Sequence, residues 1–428
     1  MSTLALLGGE PLISKALKPY QSIGEKEKAA VNEVMDSGVI SGFYGSWNDK
    51  FWGGTKVQEF EKAWAKRFAV KHAISVNSNT SGLYASMAAI GISPGDEVIV
   101  SPYTMSATAM APIGYGAIPV FADIEAETYG LDPQAVKEAI TPRTKAIIVT
   151  NIFGHAARLK ELKAIADAHD LYLIEDNAQA PLGVEDGEYC GTIGHIGVFS
   201  LNYHKHIHTG EGGICTTNND ALAQRLAMVR NHAEAVIEPS GTDNLVNMFG
   251  FNLRMTELCA AIGLVQLDDI EHHVERRVQL AQSLSDAVSQ IDGIDAPHRR
   301  DGCNHVYYVW AGQVDKDRLG ISRTTLSKAL NAEGLPNFEG YLTPLYMLPM
   351  FQKRIAMGRD GFPFNQSDVK YEKGMCRVVE DMKYNRLLGF EPCAYDASAA
   401  DIKQLQNVFY KVFENIDDLK QYEYKEAS

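Results

Sequence analysis

Short apolar runs alternate with helical patterns between residues 73 and 217. Residues 73–76, 97–100, 118–121, 146–150 and 172–174 have the length and apolar content of buried strands. Between them, residues 83–90, 133–140 and 159–169 space their apolar side chains as amphipathic helices do. This alternation predicts βαβ units, hence an α/β fold with a mainly parallel sheet flanked by helices. Ligands of such sheets sit outside the carboxyl ends of the strands. Asp176 and the turn at 77–82 fall at two of those ends.

Residues 255–291 form one long helical pattern with few breakers. It is expected to link a large domain, residues 1–290, to a smaller α+β domain, residues 291–428. In the latter, 306–311 predicts a strand, and 322–333 and 399–416 predict helices. The stretch 338–364, rich in Pro, Tyr, Met and Gly, predicts an ordered loop. Residues 420–428 are polar and are expected to fray.

Composition narrows the class. The chain has 428 residues, 45% hydrophobic and 22% charged, which is ordinary for a globular protein. A net charge of -14 supplies no basic field for phosphates, so no nucleic-acid partner is expected. No apolar run is long enough to predict a membrane span. The first residues lack a basic stretch and run into Gly8-Gly9-Glu10-Pro11, unlike a signal peptide. Six cysteines are scattered without a CxxC pair, so neither a metal knuckle nor a disulfide framework is expected, and a cytoplasmic location fits.

The candidate chemistry centres on residues 199–213. Lys205 lies five residues after Ser200, amid apolar and aromatic neighbours, and precedes Gly210-Glu211-Gly212-Gly213. Crowding lowers an amine's pKa, and a neutral amine can hold an aldehyde as a Schiff base. Upstream, an apolar strand ends in Asp176, which could face a cofactor nitrogen or simply cap a helix. A lysine with such an acid is the pairing expected for pyridoxal 5'-phosphate (PLP). Ser78-Asn79-Thr80-Ser81-Gly82 joins a strand to a helix, so free N–H groups and hydroxyls could cradle a phosphate, with Ser200 adding another. His204, His206 and His208 would share a face if they lay on a strand, but no acidic ligand motif accompanies them and no metal is expected.

Several ordered motifs resemble the DegT/StrS family of PLP-dependent sugar aminotransferases, of the aspartate-aminotransferase fold type. They include Ser78 to Gly82, Pro102-Tyr103-Thr104, Phe153-Gly154-His155, Glu175-Asp176-Asn177-Ala178-Gln179-Ala180, Ser200 through Gly213, and Gly250-Phe251-Asn252-Leu253-Arg254-Met255. The resemblance implies Lys205 as the Schiff-base lysine and Asp176 as the acid on the pyridine nitrogen. It implies Gln179 near the ring 3-hydroxyl, and Thr80, Ser81 and Ser200 at the phosphate. It also implies a homodimer in which Asn252 reaches the phosphate of the partner subunit. Met105 stands where many members have a ring-stacking aromatic residue. The segment 41–56, with Phe43, Tyr44, Trp47, Phe51 and Trp52, is expected as a lid, a substrate wall or an interface patch.

The implied reaction moves an amino group from an amino-acid donor, L-glutamate in the first instance, to a keto sugar. Overall similarity points to 8-keto-3,8-dideoxy-manno-octulosonate, a lipopolysaccharide sugar acid. A nucleotide-linked keto-hexose and a cyclitol are the alternatives, the latter resembling substrates of members that share residues 5–11 and 340–346. An acid substrate calls for a cation, with Arg158, Arg254 and His155 as candidates; a diphosphate could use Arg158, Arg254, or Lys353 with Arg354. A PLP-dependent sugar dehydratase would carry histidine at the lysine position. A non-catalytic PLP-binding regulator is the remaining reading.

Overall fold

The computed structural model describes residues 3–426. Seven strands form the main sheet: β1 (His72–Val76), β2 (Glu97–Val100), β3 (Ile118–Phe121), β4 (Thr144–Thr150), β5 (Tyr172–Asp176), β6 (Ile196–Ser200) and β7 (Gly213–Thr217). Their order is β1-β7-β6-β5-β4-β2-β3. The pairs from β6 to β3 are parallel, while β7 runs antiparallel to both β1 and β6. The α/β class and mainly parallel sheet are as expected. β7 is the exception, and it makes residues 201–212 a direct return from β6 rather than a helical crossover.

Helices cover the sheet: α1 (Glu25–Ser37), α2 (Thr55–Arg67), α3 (Asn79–Ala89), α4 (Ala107–Ile113), α5 (Pro133–Ala139), α6 (Leu159–Ala168) and α7 (Asp220–Arg230). Helix α3 starts because the Ser78 hydroxyl accepts the Ser81 N–H at 3.0 Å. Its small residues let it lie close to the sheet. A Cβ on Gly82 would come within 2.5 Å of Val198. Helix α6 buries Leu159, Leu162, Ile165 and Ala166, the stripe its periodicity predicts. On α2, Trp64 stacks on Phe68 at 4.8 Å and meets Phe199 of β6 edge-on at 5.1 Å. Truncating a buried aromatic of this kind costs about 3–5 kcal/mol.

The pattern at 255–291 becomes two helices, α8 (Glu257–Asp268) and α9 (Ile270–Val288), parted at Asp269. The break falls where the burial partner changes. Leu267, Ile270 and Val274 pack in the core of the main sheet, whereas Leu280, Ala281 and Leu284 pack in a second core. That second core belongs to an antiparallel sheet of β8 (Ile294–Asp295), β9 (Trp310–Val314), β10 (Phe338–Glu339) and β11 (Leu387–Phe390), ordered β8-β9-β11-β10. Helices α10 (Arg323–Ala332), α11 (Ala399–Glu414) and α12 (Ile416–Glu426) surround it.

Three local expectations change. The strand expected at 306–311 is β9, further along. Residues 306–309 instead tie the two units together, Val306 N–H donating to Gly154 O at 2.8 Å and Val309 N–H to Phe153 O at 3.2 Å. The chain's end is helical to Glu426 because Leu419 is buried and Glu423 accepts from Ser322 N–H at 2.9 Å and Thr325 Oγ1 at 2.6 Å; residues 427–428 lie outside the described range. The N-terminal residues, expected with the large domain, pack into the second core through Leu4, Ile13 and Leu17. There the buried Glu333–Lys411 pair receives the Ala5 N–H at 2.8 Å.

Candidate active site

The carboxyl ends of β1, β4, β5 and β6 converge on a cavity of about 230 Å³. Asp176, Lys205, Gln179, Ser200, Thr80 and Met105 all line it. Six of the eight residues singled out as cofactor contacts are thus brought together.

Asp176 points into the cavity because side chains alternate along β5. Its neighbour Glu175 faces the other way and accepts the N–H groups of Gly191, Ile193 and Gly194 at 2.6, 2.9 and 2.6 Å. That fastens the turn leading into β6. The Asp176 carboxylate accepts from Thr108 Oγ1 at 2.8 Å, Asn79 Nδ2 at 3.2 Å and Ala178 N–H at 3.3 Å. Burial raises its pKa, while these bonds and the Lys205 charge oppose the rise. Thr108 belongs to a chain of hydroxyls: Thr150 Oγ1 donates to Thr104 Oγ1 at 3.2 Å, and Thr104 Oγ1 meets Thr108 Oγ1 at 3.2 Å.

Lys205 sits in the bends between β6 and β7, not on a strand. Its Nζ lies 4.3 Å from the Tyr308 ring centroid. Burial pushes the amine down to about 8, with Asp176 pulling the other way. A tenth of such an amine is neutral near pH 7, which suits a nucleophile and proton carrier. The glycine cluster has a steric reason. A Cβ on Gly213 would sit 2.7 Å from the Asn79 nitrogen, so β7 can pass beneath the Ser78 turn only without a side chain. Gly210, at φ +83°, makes the reversal.

The bends also scatter the three histidines. His204 lines the cavity, burial holding it neutral with a pKa of about 4. His206 is fully buried, its Nε2 at 2.8 Å from Val306 O. His208 faces Gly210, whose N–H meets its Nδ1 at 3.3 Å. Among the described residues, no group of three metal-ligating side chains is assembled.

Other singled-out residues lie elsewhere. Ser81 turns its hydroxyl to Asn77 Oδ1 at 2.6 Å, leaving Thr80 and Ser200 on the cavity. Asn252 is exposed and accepts Arg254 Nε at 2.8 Å, away from the cavity of its own chain. Met105 is 53% exposed at the mouth. Arg158 is paired with Glu125. His155 is buried between Ala156 O and the Arg300 N–H, at 2.7 and 3.2 Å, and burial lowers its pKa to about 4. Arg354 is engaged by the carbonyls of Phe364, Ser367 and Val369. Neither Arg158 nor His155 faces the cavity, which corrects their expected role. The aromatic segment 41–56 packs at the β1 edge, where Trp47, Phe51 and Trp52 form a cluster with centroids 4.9 to 5.5 Å apart. It is tied down by Asn231 Nδ2, which donates to Tyr44 O at 2.8 Å, so it forms no wall of the Lys205 cavity within this chain.

Sequence reasoning named Thr104 within Pro102-Tyr103-Thr104 but gave it no role, and it missed Thr108, Thr150 and Tyr308. Thr104, in the bend before α4, and Thr108, in its first turn, stand four residues apart, a usable signal; Tyr308 had none. It did flag Tyr341, in the loop 340–346. The Tyr341 hydroxyl accepts Gln179 Nε2 at 3.1 Å, while Gln179 Oε1 accepts the Phe153 N–H at 2.7 Å.

The DegT/DnrJ/EryC1/StrS aminotransferase family matches residues 21–371. The chain belongs to this family. It is 33% identical to a GDP-perosamine synthase of Caulobacter vibrioides over 76% of this chain and 84% of that protein. It is 30% identical to an L-glutamine:2-deoxy-scyllo-inosose aminotransferase of Micromonospora echinospora, over 98% of this chain and all of that protein. The X-ray structure of an aminotransferase from Psychrobacter cryohalolentis superposes with a TM-score of 0.81 at 28% identity, covering 94% of this chain and 100% of that one. The chain is a PLP-dependent transaminase of fold type I. The cavity suits that cofactor. Lys205 and Asp176 open onto it together, as a covalent anchor and a pyridine-nitrogen acid must. The first N–H groups of α3 open onto it beside Thr80 and Ser200, as a phosphate requires.

Proposed function

We propose that this transaminase moves the amino group of L-glutamate to the 8-keto group of 3,8-dideoxy-manno-octulosonate, with Lys205 as covalent anchor of the cofactor and proton carrier. The observation that carries the site is the opening of Lys205 and Asp176 onto one cavity beside the Ser78 turn. Asp176, steadied by Thr108, would hold a proton on the pyridine nitrogen. Thr80, Ser200 and the α3 N-terminus would hold the phosphate, and Gln179 would lie near the ring hydroxyl. When bound, PLP supplies an electron sink for the bond broken at the substrate carbon. Lys205 Nζ would take the donor's α-proton and, on the acceptor carbon, would give a proton back, as general base and acid. Tyr308 and Tyr341 exclude water from that transfer and offer apolar faces to a sugar ring.

The acceptor is taken from the resemblance read in the sequence and from Tyr341, whose loop reaches the cavity, whereas the relatives above carry the names of other sugar aminotransferases. Arg254 is the remaining candidate for the acid group, beside Asn252, and we assign both to the cavity of a second copy in a homodimer. A cyclitol acceptor is the second reading. Its support is the end-to-end match to the cyclitol aminotransferase, against partial coverage by the GDP-sugar enzyme. A lysine rather than histidine at position 205 speaks against the dehydratase. The test is amination by the pyridoxamine-loaded enzyme, followed by mass spectrometry. The octulosonate, a free keto-cyclitol and a nucleotide-linked keto-hexose are offered separately. Turnover of the last two but not the first rejects the octulosonate and leaves the transaminase intact.

A further inference from the structure

Tyr308 stands on the wall of the Lys205 cavity and is 7% exposed. Its ring lies beside the Lys205 amine, at 4.3 Å, and near the rings of His204 and His206, at 6.1 and 6.4 Å between centroids. Its hydroxyl makes no hydrogen bond with any of the described residues. Yet it is not sealed off, as the partnerless Tyr115 hydroxyl is. The little surface that Tyr308 keeps therefore includes the hydroxyl, and it opens onto the cavity. Burial, with Tyr341 and Glu391 adding to it, raises the phenol's pKa well above the ordinary 10, so it stays protonated and can donate.

The surroundings select the oxygen it would meet. Glu211 lines the cavity, its carboxylate accepting Asn202 Nδ2 at 2.8 Å, and among the described residues no cation pairs with it. Glu391 is near enough to act on Tyr308, Tyr341 and Lys205. His204 is neutral above about 4, and Lys205 must give up its charge to serve as a base. A carboxylate placed at Tyr308 would thus face two like charges, whereas a neutral hydroxyl would not. Lys205 Nζ has to reach the reacting carbon of the substrate. The phenol stands beside that amine, so an oxygen on the next carbon comes within its reach.

We propose that the Tyr308 hydroxyl donates a hydrogen bond to the sugar hydroxyl on the carbon next to the acceptor's keto group, and so favours keto sugars over simple α-keto acids. The proposal rests on the sugar acceptor of the preceding reading, not on the octulosonate in particular. The octulosonate, the keto-cyclitol and the nucleotide-linked keto-hexose all carry such a hydroxyl.

Tyr308→Phe removes the hydroxyl alone and breaks no internal bond, so the fold and the pH midpoint of PLP capture should stay as they are. Its KM for the keto sugar should rise about three- to ten-fold, as for the loss of one ordinary hydrogen bond, with a smaller change in kcat. Reducing the keto group to an alcohol leaves each acceptor unreactive. Calorimetry on the pyridoxamine-loaded enzyme, with 3-deoxy-manno-octulosonate and scyllo-inositol as these reduced forms, then reads binding without turnover. The probe that binds the parent should bind Tyr308→Phe more weakly by the same factor. Its analogue with hydrogen in place of the neighbouring hydroxyl should bind both proteins alike. L-glutamate affinity, read from the absorbance of the PLP form, should not change. Equal binding of the intact probe by parent and variant overturns the proposal. So does a weakening that persists with the deoxygenated analogue, or one confined to L-glutamate. If only the cyclitol probe binds and only the keto-cyclitol is turned over, the octulosonate reading fails while the Tyr308 comparison still decides this one.

Discussion

The amine of Lys205 lies 4.3 Å from the centre of the Tyr308 ring, although the two residues are far apart in the chain. Tyr308 arrives on the strip 306–309, which bonds to Phe153 and Gly154, so the lysine is fully covered only when that strip is in place. Two effects oppose each other here. Burial disfavours the ammonium form, whereas the ring face favours it by about 0.5–2 kcal/mol. Burial wins, since the amine is held at about 8. Tyr308→Ala should therefore admit water and raise the Lys205 pKa. Tyr308→Leu keeps the burial and loses the ring, so it should lower the pKa further. The pH midpoint of PLP capture by the apoenzyme measures both. Shifts in the same direction would reject this account.

Capture itself should quicken as pH rises through about 8 and then level off, because the neutral amine is the nucleophile. Stability follows the same group. Between about 8 and the ordinary 10.5 the unfolded chain holds a proton that the folded apoenzyme has lost. Lys205 therefore adds stability with rising pH across that window. Denaturant midpoints of the apoenzyme and of Lys205→Met, taken from pH 7 to pH 10, should diverge in that sense. Borohydride reduction followed by peptide mapping should place the pyridoxyl mass on Lys205, and Lys205→Ala should bind PLP without a covalent bond and fail to transaminate.

Asp176→Asn should keep the fold and slow the donor half-reaction by orders of magnitude, as the pyridine nitrogen loses its proton. Thr108 makes a finer test. Its hydrogen bond to the carboxylate is of a kind worth about 1.5–3 kcal/mol, so Thr108→Val should slow that half-reaction about ten- to hundred-fold. Thr108→Ser should restore most of it. Stopped-flow absorbance with L-glutamate reads the step, and a Thr108→Val rate equal to the parent's would remove Thr108 from the mechanism.

The legible parts of the molecule share a physical character. Strands β1 to β5 are short, buried and separated by helices, so each stands out as an apolar run between polar breaks. Asp176 was visible as the acid ending one of them, and Lys205 as a charge among apolar residues before glycines. Strands β6 and β7 were less so, because a turn rather than a helix parts them. The histidines beside Lys205 would share a face only on a strand, and sequence spacing cannot tell bends from extended chain. Arg158 and His155 looked available because their partners, Glu125 and the Arg300 N–H, are remote in sequence. Tyr308 was hidden for the same reason. A contact between residues so distant in the chain leaves no local pattern.

Asn252 tests the dimer. It lies on the surface, and its carbonyl is 3.5 Å from Asn77 Nδ2, beside the phosphate turn but outside the cavity. If it serves the cavity of the partner subunit, two inactive variants should rescue each other. In a mixed dimer of Lys205→Ala and Asn252→Ala, one cavity receives an intact lysine from one chain and an intact Asn252 from the other. Refolding the two together should then recover about a quarter of parental activity, the share of intact cavities that random pairing of equal amounts gives when exchange is complete. Each variant alone should stay low, Lys205→Ala without turnover and Asn252→Ala with weakened PLP affinity. The same mixture made with Arg254→Ala in place of Asn252→Ala tests the acid-binding assignment, where rescue should appear in KM for the acceptor. If Asn252 acts within its own chain, the Lys205→Ala and Asn252→Ala mixture gains nothing over the average of its parts, and sedimentation of a competent monomer would lead to the same conclusion.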